Sequence, residues 1–317
     1  MSQREIKVGV VGVGHLGRHH ARLYAQQSGV ELVGIVDQDA ERGDAIAVEY
    51  GCRRFASVAE LASLVEAASV AVPTHAHAEV ACELLASDVD VLVEKPLAKS
   101  LDEAERINVA AETHGKIVMV GHTERFNPAV QALATVVKRP RFFEVHRLAA
   151  FTARSTDVDV VLDLMIHDLD LLLALDGSEP VTVDAAGVAA LTDKVDIANA
   201  RIRFSSGCVA NLTASRISAE PVRRLRLFQD RTYLSCDTGK RTVERYQLQL
   251  SAEGTPRIDH DWLPIEEGEP LGAELEAFTA AVRERVPPRI DGRQGQRALE
   301  LAHRVLESIA EGERLAK

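Results

Sequence analysis

The sequence predicts an α/β protein of two domains: an N-terminal doubly wound parallel sheet, and a C-terminal α+β domain with a large, mainly antiparallel open sheet. Three observations predict this. Short apolar runs alternate with helical stretches up to about residue 121, β-patterned segments dominate residues 181–250, and 317 residues suffice for two cores. The expected domains are 1–122 and 123–317.

The first domain is expected to contain five strands and several helices. Its predicted strands cover residues 6–11, 31–37, 69–72, 89–94 and 117–121, and its predicted helices 57–63, 75–86 and 101–113. Strands that alternate with helices in this way pair in parallel, because each helix returns the chain to the same edge of the sheet.

The second domain begins after Asn127 and Pro128, where the pattern changes. We expect a short helix, a run of unassigned type over 142–151, a helix over 160–175, several strands over 181–250, a loop over 264–272 and helices over 272–285 and 293–311. One strand places Ala198, Ala200, Ile202 and Phe204 on one face and Asn199, Arg201 and Arg203 on the other. An open face of this kind favours a homodimer or homotetramer formed through the C-terminal sheet.

Composition excludes several classes of protein. The chain has 37 Lys and Arg against 48 Asp and Glu, a net charge of −11, which argues against a nucleic-acid partner. No membrane-spanning stretch or signal peptide is visible, so a soluble, cytoplasmic protein is expected. Four scattered cysteines without a CxxC pair indicate neither a zinc site nor a disulfide framework.

A glycine-rich loop follows the first predicted strand and opens a helix. It reads Gly12-Val13-Gly14-His15-Leu16-Gly17, and Asp37 ends the next strand 20 residues later. Only glycine allows the tight turn and the close approach of backbone amides to a pyrophosphate. Asp37 is suited to accept hydrogen bonds from ribose hydroxyls and to repel a 2′-phosphate, so NAD is favoured over NADP. Arg42 keeps NADP as the alternative.

Lys95 follows a largely apolar strand, in the sequence Glu94-Lys95-Pro96. The carboxyl ends of parallel strands are where this architecture binds its ligands, and a proline after Lys95 restrains its backbone. A lysine fixed at that edge is suited to bind or polarise a substrate hydroxyl. The alternative is a lysine that is merely solvated.

Asp163 and His167 lie four residues apart in an apolar run that predicts a helix. At 100° per residue they share one arc with Asp170, and a carboxylate at this spacing can orient an imidazole for proton transfer. A solvated stripe is the alternative. A metal site is disfavoured, because one histidine with carboxylates is a poor zinc set. Asp168 and Asp170 are expected to be structural.

These motifs together resemble the glucose-fructose oxidoreductase, inositol dehydrogenase and MocA family of oxidoreductases. The matching features are the glycine loop, Pro73-Thr74 with His77, Glu94-Lys95-Pro96, and Asp163 with His167. The resemblance implies a Rossmann domain, with Pro73, Thr74, His77, Glu94 and Lys95 beside the cofactor. It also implies a nicotinamide held at the crevice between domains. His167 would then take the proton of a secondary hydroxyl, Lys95 would polarise it and Asp163 would orient both, although lysine and histidine can exchange roles.

A finer resemblance points to a subgroup related to UDP-N-acetylglucosamine 3-dehydrogenases. It rests on the stretches GHTERFNPA, EVHRLAAFTAR, DLMIHDLD and NLTASRIS. A sugar diphosphate suits guanidinium partners, and the candidate substrate-binding residues are Arg125, Asn127, Arg147, Arg154 and Arg216, besides Lys95 and His167. Salt bridging is the alternative for each arginine. A dehydrogenase of free sugars, inositols or polyols is the second candidate, and a dinucleotide-sensing regulator is the non-enzymatic one.

Overall fold

Two units make up the chain in the computed structural model, which describes residues 4–152, 158–250 and 254–315. The first unit comprises residues 1–123 and 271–299, and the second comprises 124–270 and 300–317. The first crossing between units falls beside the expected boundary. The C-terminal segment differs from the expected contiguous division, because part of it returns to the first unit.

The first unit contains a parallel sheet of six strands in the order β3-β2-β1-β4-β5-β6. Its strands are β1 Ile6–Val11, β2 Val30–Val36, β3 Arg53–Phe55, β4 Ala67–Val70, β5 Asp90–Glu94 and β6 Val118–Gly121. The doubly wound sheet predicted from the sequence is therefore confirmed. Strands β4, β5 and β6 are buried along their whole length.

Helices connect these strands. They are α1 Gly17–Gln26, α2 Ala40–Tyr50, α3 Val58–Ala62, α4 His77–Ala86 and α5 Leu101–His114. Strand β3 and helix α2 were not predicted. Strand β3 is only three residues long and begins with two arginines, and α2 buries only Gly43, Ile46 and Ala47, so neither has a strong apolar pattern.

Two C-terminal helices, α8 Pro270–Glu284 and α9 Gly292–Leu315, follow the strands of the second unit. Helix α8 and the first part of α9 belong to the first unit. There the Asn108 side chain donates to Gln296 Oε1 at 2.7 Å, and the Val120 N–H donates to the Ile290 carbonyl at 3.0 Å. These contacts explain why a segment so late in the sequence joins the first unit.

The second unit contains a sheet of eight strands in the order β14-β13-β12-β11-β7-β10-β9-β8. All neighbours are antiparallel except β7 and β10. The strands are β7 Phe142–Leu148, β8 Pro180–Val188, β9 Ile197–Phe204, β10 Val209–Ser215, β11 Val222–Gln229, β12 Thr232–Asp237, β13 Thr242–Leu250 and β14 Pro256–Trp262. The predicted large, mainly antiparallel sheet is confirmed.

Helix α6 Pro128–Val136, a π-helical turn at Val161–Met165 and helix α7 Ile166–Asp176 also belong to this unit. The predicted alternation along β9 is confirmed, since the face that carries Ala198 and Ile202 is buried and the face that carries Asn199 and Arg201 is exposed. In the described part of the chain no helix is long and apolar enough to cross a membrane.

Candidate active site

Four loops at the carboxyl edge of the parallel sheet carry the residues predicted to bind the cofactor. The glycine loop follows β1, Asp37 follows β2, Pro73 and Thr74 lie in the loop after β4, and Lys95 follows β5. Because these four strands lie side by side and run in parallel, their carboxyl ends share one edge. This edge is where a doubly wound sheet binds its ligand.

The three glycines of the loop have different surroundings. A Cβ on Gly17 would lie 1.8 Å from the Gly12 carbonyl oxygen, and a Cβ on Gly12, whose φ is +84°, would lie 2.8 Å from the Ala71 carbonyl oxygen. A Cβ on Gly14 would meet no protein atom within 4 Å. Glycine is thus required at positions 12 and 17 because a Cβ there would clash with the protein's own backbone, whereas the open space beside Gly14 fits the approach of a pyrophosphate. His15 and Leu16 are exposed between them.

Asp37 is buried, and its carboxylate is engaged by neighbouring groups. Oδ2 accepts the Val13 N–H at 2.7 Å, Oδ1 accepts the Asp39 N–H at 2.8 Å, and the guanidinium of Arg42 donates to both oxygens. Although burial opposes ionisation, Arg42 and the two backbone donors hold the pKa of Asp37 below its ordinary value. A ribose hydroxyl therefore has to share Asp37 with Arg42 or displace it. The Arg42 side chain, 46% exposed, has room to move.

His77 lies between two backbone carbonyls, and its expected place beside the cofactor stays a prediction. Its ring is 1% exposed, with Nδ1 2.9 Å from the Pro96 carbonyl oxygen and Nε2 2.9 Å from the Val72 carbonyl oxygen. Burial lowers its pKa. With both ring nitrogens directed at backbone carbonyls, His77 joins the loop after β4 to the segment after Lys95. Pro73 precedes the 3₁₀ turn Thr74–Ala76 and is exposed.

The backbone of Lys95 is joined to a chain of buried, hydrogen-bonded polar side chains. Its backbone N–H donates to Glu94 Oε2 at 3.3 Å, and Glu94 Oε1 lies 2.9 Å from His20 Nε2. His20 Nδ1 lies 3.0 Å from Ser69 Oγ, which lies 2.9 Å from the Tyr24 hydroxyl. Glu94 is 5% exposed and accepts the Lys95 N–H, while its expected place beside the cofactor stays a prediction.

The charge of Glu94 fixes the direction of its hydrogen bond with His20. Burial raises the pKa of Glu94, but the hydrogen bond and charge of His20 and the charge of Lys95 together outweigh this effect, so that the pKa lies below its ordinary value. An ionised Glu94 accepts its hydrogen bond from His20, so His20 carries a proton on Nε2. His20 is not among the residues predicted from the sequence. Its signal is a histidine on the buried face of α1, which also contains Gly17, Ala21 and Tyr24.

In the second unit, Asp163 and His167 lie on two kinds of helical turn. Asp163 is within the π-helical turn, where the Ile166 N–H donates to the Val161 carbonyl, and His167 begins the regular helix α7. The rotation of 100° per residue expected for residues 160–175 therefore does not apply across this turn. Both side chains are partly exposed. Single π turns inside helices are frequent at functional sites.

Asp168 and Asp170 are buried and paired with arginines, as their expected structural role implies. Arg147, 4% exposed, donates to Asp168 at 2.9 and 2.7 Å and to Glu124 at 2.9 Å. Burial disfavours its charge, yet Asp168 and Glu124 raise the pKa of Arg147 overall. Arg125 donates to Asp170 through Nε at 2.7 Å and Nη2 at 2.6 Å.

Two of the candidate substrate-binding arginines form buried salt bridges, the alternative named for each arginine, and substrate binding by the candidate set stays a prediction. Arg147 is enclosed by carboxylates, and Arg216 donates to Asp196 and to the Val158 carbonyl, so both support the fold. Asn127 caps α6 by accepting the Ala129 N–H and donates to the Thr238 carbonyl. Arg154 lies outside the described residues. Of the three arginines within the described residues, Arg125 is the candidate that keeps part of its guanidinium, Nη1, outside its ion pair.

The fold and the glycine loop define a dinucleotide-binding oxidoreductase. Residues 6–122 match the oxidoreductase family with an NAD-binding Rossmann fold, GFO_IDH_MocA, and residues 129–240 match the GFO/IDH/MocA C-terminal domain. The chain belongs to the GFO/IDH/MocA family, so the resemblance noted in the sequence is confirmed. The matching family model is that of an NAD-binding Rossmann fold, so the nucleotide cofactor is NAD.

Three relatives illustrate the similarity. UDP-N-acetylglucosamine 3-dehydrogenase of Acidithiobacillus ferrooxidans is 41% identical over 95% of this chain and 96% of its own length. Its solved structure matches with a TM-score of 0.90, at 40% identity, over 96% of this chain and 98% of that one. Inositol 2-dehydrogenase of Rhizobium meliloti is 29% identical over 96% of this chain and 97% of its own length. An oxidoreductase from Agrobacterium radiobacter in complex with NAD⁺ shares the fold, with a TM-score of 0.86 at 18% identity over 97% of each chain.

Proposed function

We propose that this protein is an NAD-dependent dehydrogenase that oxidises the 3-hydroxyl of UDP-N-acetylglucosamine. The observation that carries the proposal is the 41% identity with the Acidithiobacillus enzyme over 95% of the chain. The presence of Lys95, Asp163 and His167 in the expected motifs supports catalysis rather than the sensing of dinucleotides, since a sensor has no need of them.

In the proposed reaction three side chains act on one substrate carbon. NAD supplies the nicotinamide that accepts a hydride. His167 accepts the proton of the 3-hydroxyl, because an alkoxide is a far better hydride donor than an alcohol. Lys95 polarises and positions that oxygen through its ammonium group, and Asp163 orients the other two. The reverse assignment, in which Lys95 is the base, uses the same residues.

The buried chain beneath Lys95 supports this role. Glu94 holds the Lys95 backbone N–H, and His20 holds Glu94 from α1, so the lysine projects from a backbone fixed on two strands and a helix. A catalytic group needs such support, because displacements of about 1 Å reduce rates severely.

A screen for NADH release tests the proposed substrate. The purified protein, NAD⁺ and UDP-N-acetylglucosamine are expected to yield NADH, and free hexoses, inositols and sugar acids are expected to yield far less. Turnover only with free sugars or inositols would overturn the proposal in favour of the second candidate, which the inositol 2-dehydrogenase relative supports. Turnover that persists in EDTA would reject a metal-dependent mechanism.

Variants test the catalytic residues and the regulator alternative together. Lys95→Met and His167→Asn are expected to lower kcat by at least about 100-fold, the usual contribution of a general acid or base, while NAD still binds. Unchanged turnover in both variants, with NAD bound, would reject the catalytic assignment. Loss of NAD binding in either one would instead assign that residue to the cofactor.

Arg125 is the proposed partner of the substrate diphosphate. Its Nε and Nη2 are held by Asp170, and this pairing fixes the plane of the guanidinium while Nη1 stays outside the pair. Arg125→Lys is expected to raise KM for the sugar nucleotide at least about tenfold while the NAD affinity is unchanged. An equal rise in both constants would contradict the assignment.

We also propose that the protein is a homodimer or homotetramer formed through the large sheet. Six rings on one face form a continuous ladder across five strands, with centroid distances of 4.3–6.2 Å; they belong to Phe142, Phe228, Tyr233, Tyr246, His260 and Trp262. Trp262, the only tryptophan of the chain, is 55% exposed, and Ile258 is 69% exposed. An exposed aromatic surface of this kind is typical of an interface.

Light scattering coupled to size exclusion tests this assembly. The wild type is expected to elute as a dimer or tetramer, and Trp262→Glu with Ile258→Lys is expected to dissociate it. Val48→Lys is the control, because Val48 is an 84% exposed apolar residue of α2 outside the sheet. A monomeric wild type would refute the proposal.

The cytoplasm is the proposed location. All four cysteines lie within the described residues and are free thiols, and burial raises the pKa of Cys236 to about 12. Such thiols persist without protection in a reducing compartment. Fractionation of cells is the test, and recovery of the protein from an oxidising compartment would reject the assignment.

A further inference from the structure

A basic cleft of about 930 Å³ lies in the second unit, at the end of helix α6. It is lined by the end of α6, the connection from α6 to β7, the hairpin between β11 and β12, and part of β13. Its volume is in the range that accommodates a small-molecule ligand. Its cationic lining residues are Lys138, Arg139, Arg141, Arg231 and Arg245.

The charge of this cleft contrasts with that of the chain. Asp230 is the acidic residue of the lining, and the whole protein carries a net charge of −11. Arg245 pairs with Asp261. Among the described residues, the other four cationic side chains of the lining form no ion pair. Cations gathered without carboxylate partners repel one another, which an anionic ligand would relieve.

Ordinary structural roles do not account for all of these cations. Lys138 and Arg139 follow the C-terminus of α6, where positive charge complements the helix dipole. Arg141 and Arg231 come from the sheet side and have no such role. Arg139 and Arg231 also adopt φ of +50° and +51°, where glycine or asparagine is the easier choice, so backbone preference does not explain arginine there.

The two walls of the cleft are held together by hydrogen bonds. Gln229 of β11 accepts the Lys138 N–H at 2.7 Å and donates to the Val136 carbonyl at 3.0 Å. The Arg141 N–H donates to the Phe228 carbonyl at 2.8 Å. The backbones that carry the cations are therefore fixed before any ligand arrives, which lowers the entropic cost of binding.

We propose that this cleft binds a small molecule that carries two or more phosphate groups. Guanidinium groups match phosphate oxygens in a bidentate manner, and cations on two opposed walls suit two phosphates better than one. A nucleic acid is disfavoured by the acidity of the rest of the chain. The same chemistry occurs in free phosphorylated metabolites and in the headgroups of anionic lipids.

The cleft is separate from the proposed catalytic residues of its own unit. It adjoins Phe142 at the start of β7, whereas Arg147 lies about 17 Å along that strand at 3.3–3.4 Å per residue and pairs with Asp168, the residue after His167. The ligand would therefore bind away from the proposed catalytic residues of this unit. The inference does not depend on the proposed dehydrogenase activity.

Calorimetric titration of the full chain with inorganic pyrophosphate tests the proposal. NAD⁺ is kept saturating, because the cofactor site also accepts a pyrophosphate, and the ionic strength is fixed, because salt screens such contacts. We expect saturable binding of pyrophosphate that is tighter than that of sulfate. The double variant Arg139→Glu with Arg231→Glu is expected to bind pyrophosphate at least tenfold more weakly.

Two further variants make the result decisive. Lys240→Glu reverses a charge at the opposite end of β12 and is expected to leave the affinity unchanged. Arg139→Gln with Arg231→Gln removes the charges without reversing them and should give an intermediate loss. Equal pyrophosphate affinity in all variants, or no preference over sulfate, would overturn the proposal.

Vesicles that contain cardiolipin, a lipid with two phosphates in its headgroup, identify the source of the phosphates. Co-sedimentation of the wild type that the double glutamate variant loses, and that pyrophosphate competes away, would identify a lipid headgroup. Pyrophosphate binding without co-sedimentation would identify a free metabolite. Absence of both would reject the site. None of these outcomes alters the NADH readout of the proposed function.

Discussion

The buried pair of Arg147 and Asp168 provides a quantitative test of the energetics of the second unit. Asp168→Asn removes one charge and keeps the shape of the side chain. Arg147 then loses a bidentate partner whose oxygens lie at 2.9 and 2.7 Å, and it retains only Glu124, at 2.9 Å. Because both side chains are 5% exposed, water cannot replace the lost carboxylate.

Breaking a buried ion pair by removing one partner costs about 3–5 kcal/mol. Asparagine still accepts one hydrogen bond and Glu124 still neutralises part of the charge, so we expect the lower end, about 3 kcal/mol. At about 2–4 °C per kcal/mol for a unit of this size, Tm should fall by about 6–12 °C. Scanning calorimetry measures this shift directly.

A second bidentate pair of the same residue types provides the control. Arg245 and Asp261 also form two hydrogen bonds, but their side chains are 32% and 51% exposed. Asp261→Asn is therefore expected to leave Tm almost unchanged. Equal shifts for the two variants, or a fall below about 2 °C for Asp168→Asn, would refute the reasoning that burial decides the value of these pairs.

Three further predictions concern the first unit. Gly17→Ala should weaken both NAD binding and stability, because its Cβ would lie 1.8 Å from the Gly12 carbonyl oxygen, whereas Gly14→Ala should weaken NAD binding alone. Fluorescence titration measures the NAD affinity of both variants, and their Tm values measure stability. Equal losses of stability in the two variants would contradict this difference. Asp37→Asn should shift the ratio of kcat/KM for NADP to that for NAD by at least about tenfold towards NADP, because it removes a negative charge while Arg42 remains. An unchanged ratio in steady-state kinetics would count against this prediction. Because the pKa of Glu94 is lowered in the folded protein, ionised Glu94 stabilises the fold fully above the ordinary carboxyl pKa of 4.5, and this stabilisation is lost as pH falls through the lower folded value. Glu94→Gln should therefore make Tm less dependent on pH on the acid side. Identical profiles of Tm against pH for the wild type and the variant would reject this role.

Periodicity explains which elements the sequence could predict. Buried strands such as β5 are continuous apolar runs, and β9 alternates strictly, so both were visible without coordinates. The π-helical turn at Val161–Met165 was not, because an extra residue in one turn leaves the apolar composition of the segment unchanged. The return of α8 to the first unit is a long-range contact, which local patterns do not encode.

The candidate site shows the same division between local and tertiary information. The glycine loop and Lys95 were predicted because each is a local motif attached to a strand end. The roles of the arginines were not, because a charge pattern does not reveal its partner. For Arg147 a signal existed: it alternates with Phe143 and Val145 on the buried face of β7, so the strand period already predicted burial.

Asp168 and Asp170, which follow His167 in α7, fix the position of this helix through ion pairs. Asp168 is tied to Arg147 of β7, and Asp170 is tied to Arg125 just before α6. His167 lies one residue before the first pair and three before the second, so its helical turn cannot rotate without breaking a buried ion pair. Asp168→Asn should consequently lower kcat for the sugar nucleotide more than it changes the affinity for NAD. Conversely, a variant that loses stability but retains full kcat would show that His167 is positioned by the apolar packing of α7 alone.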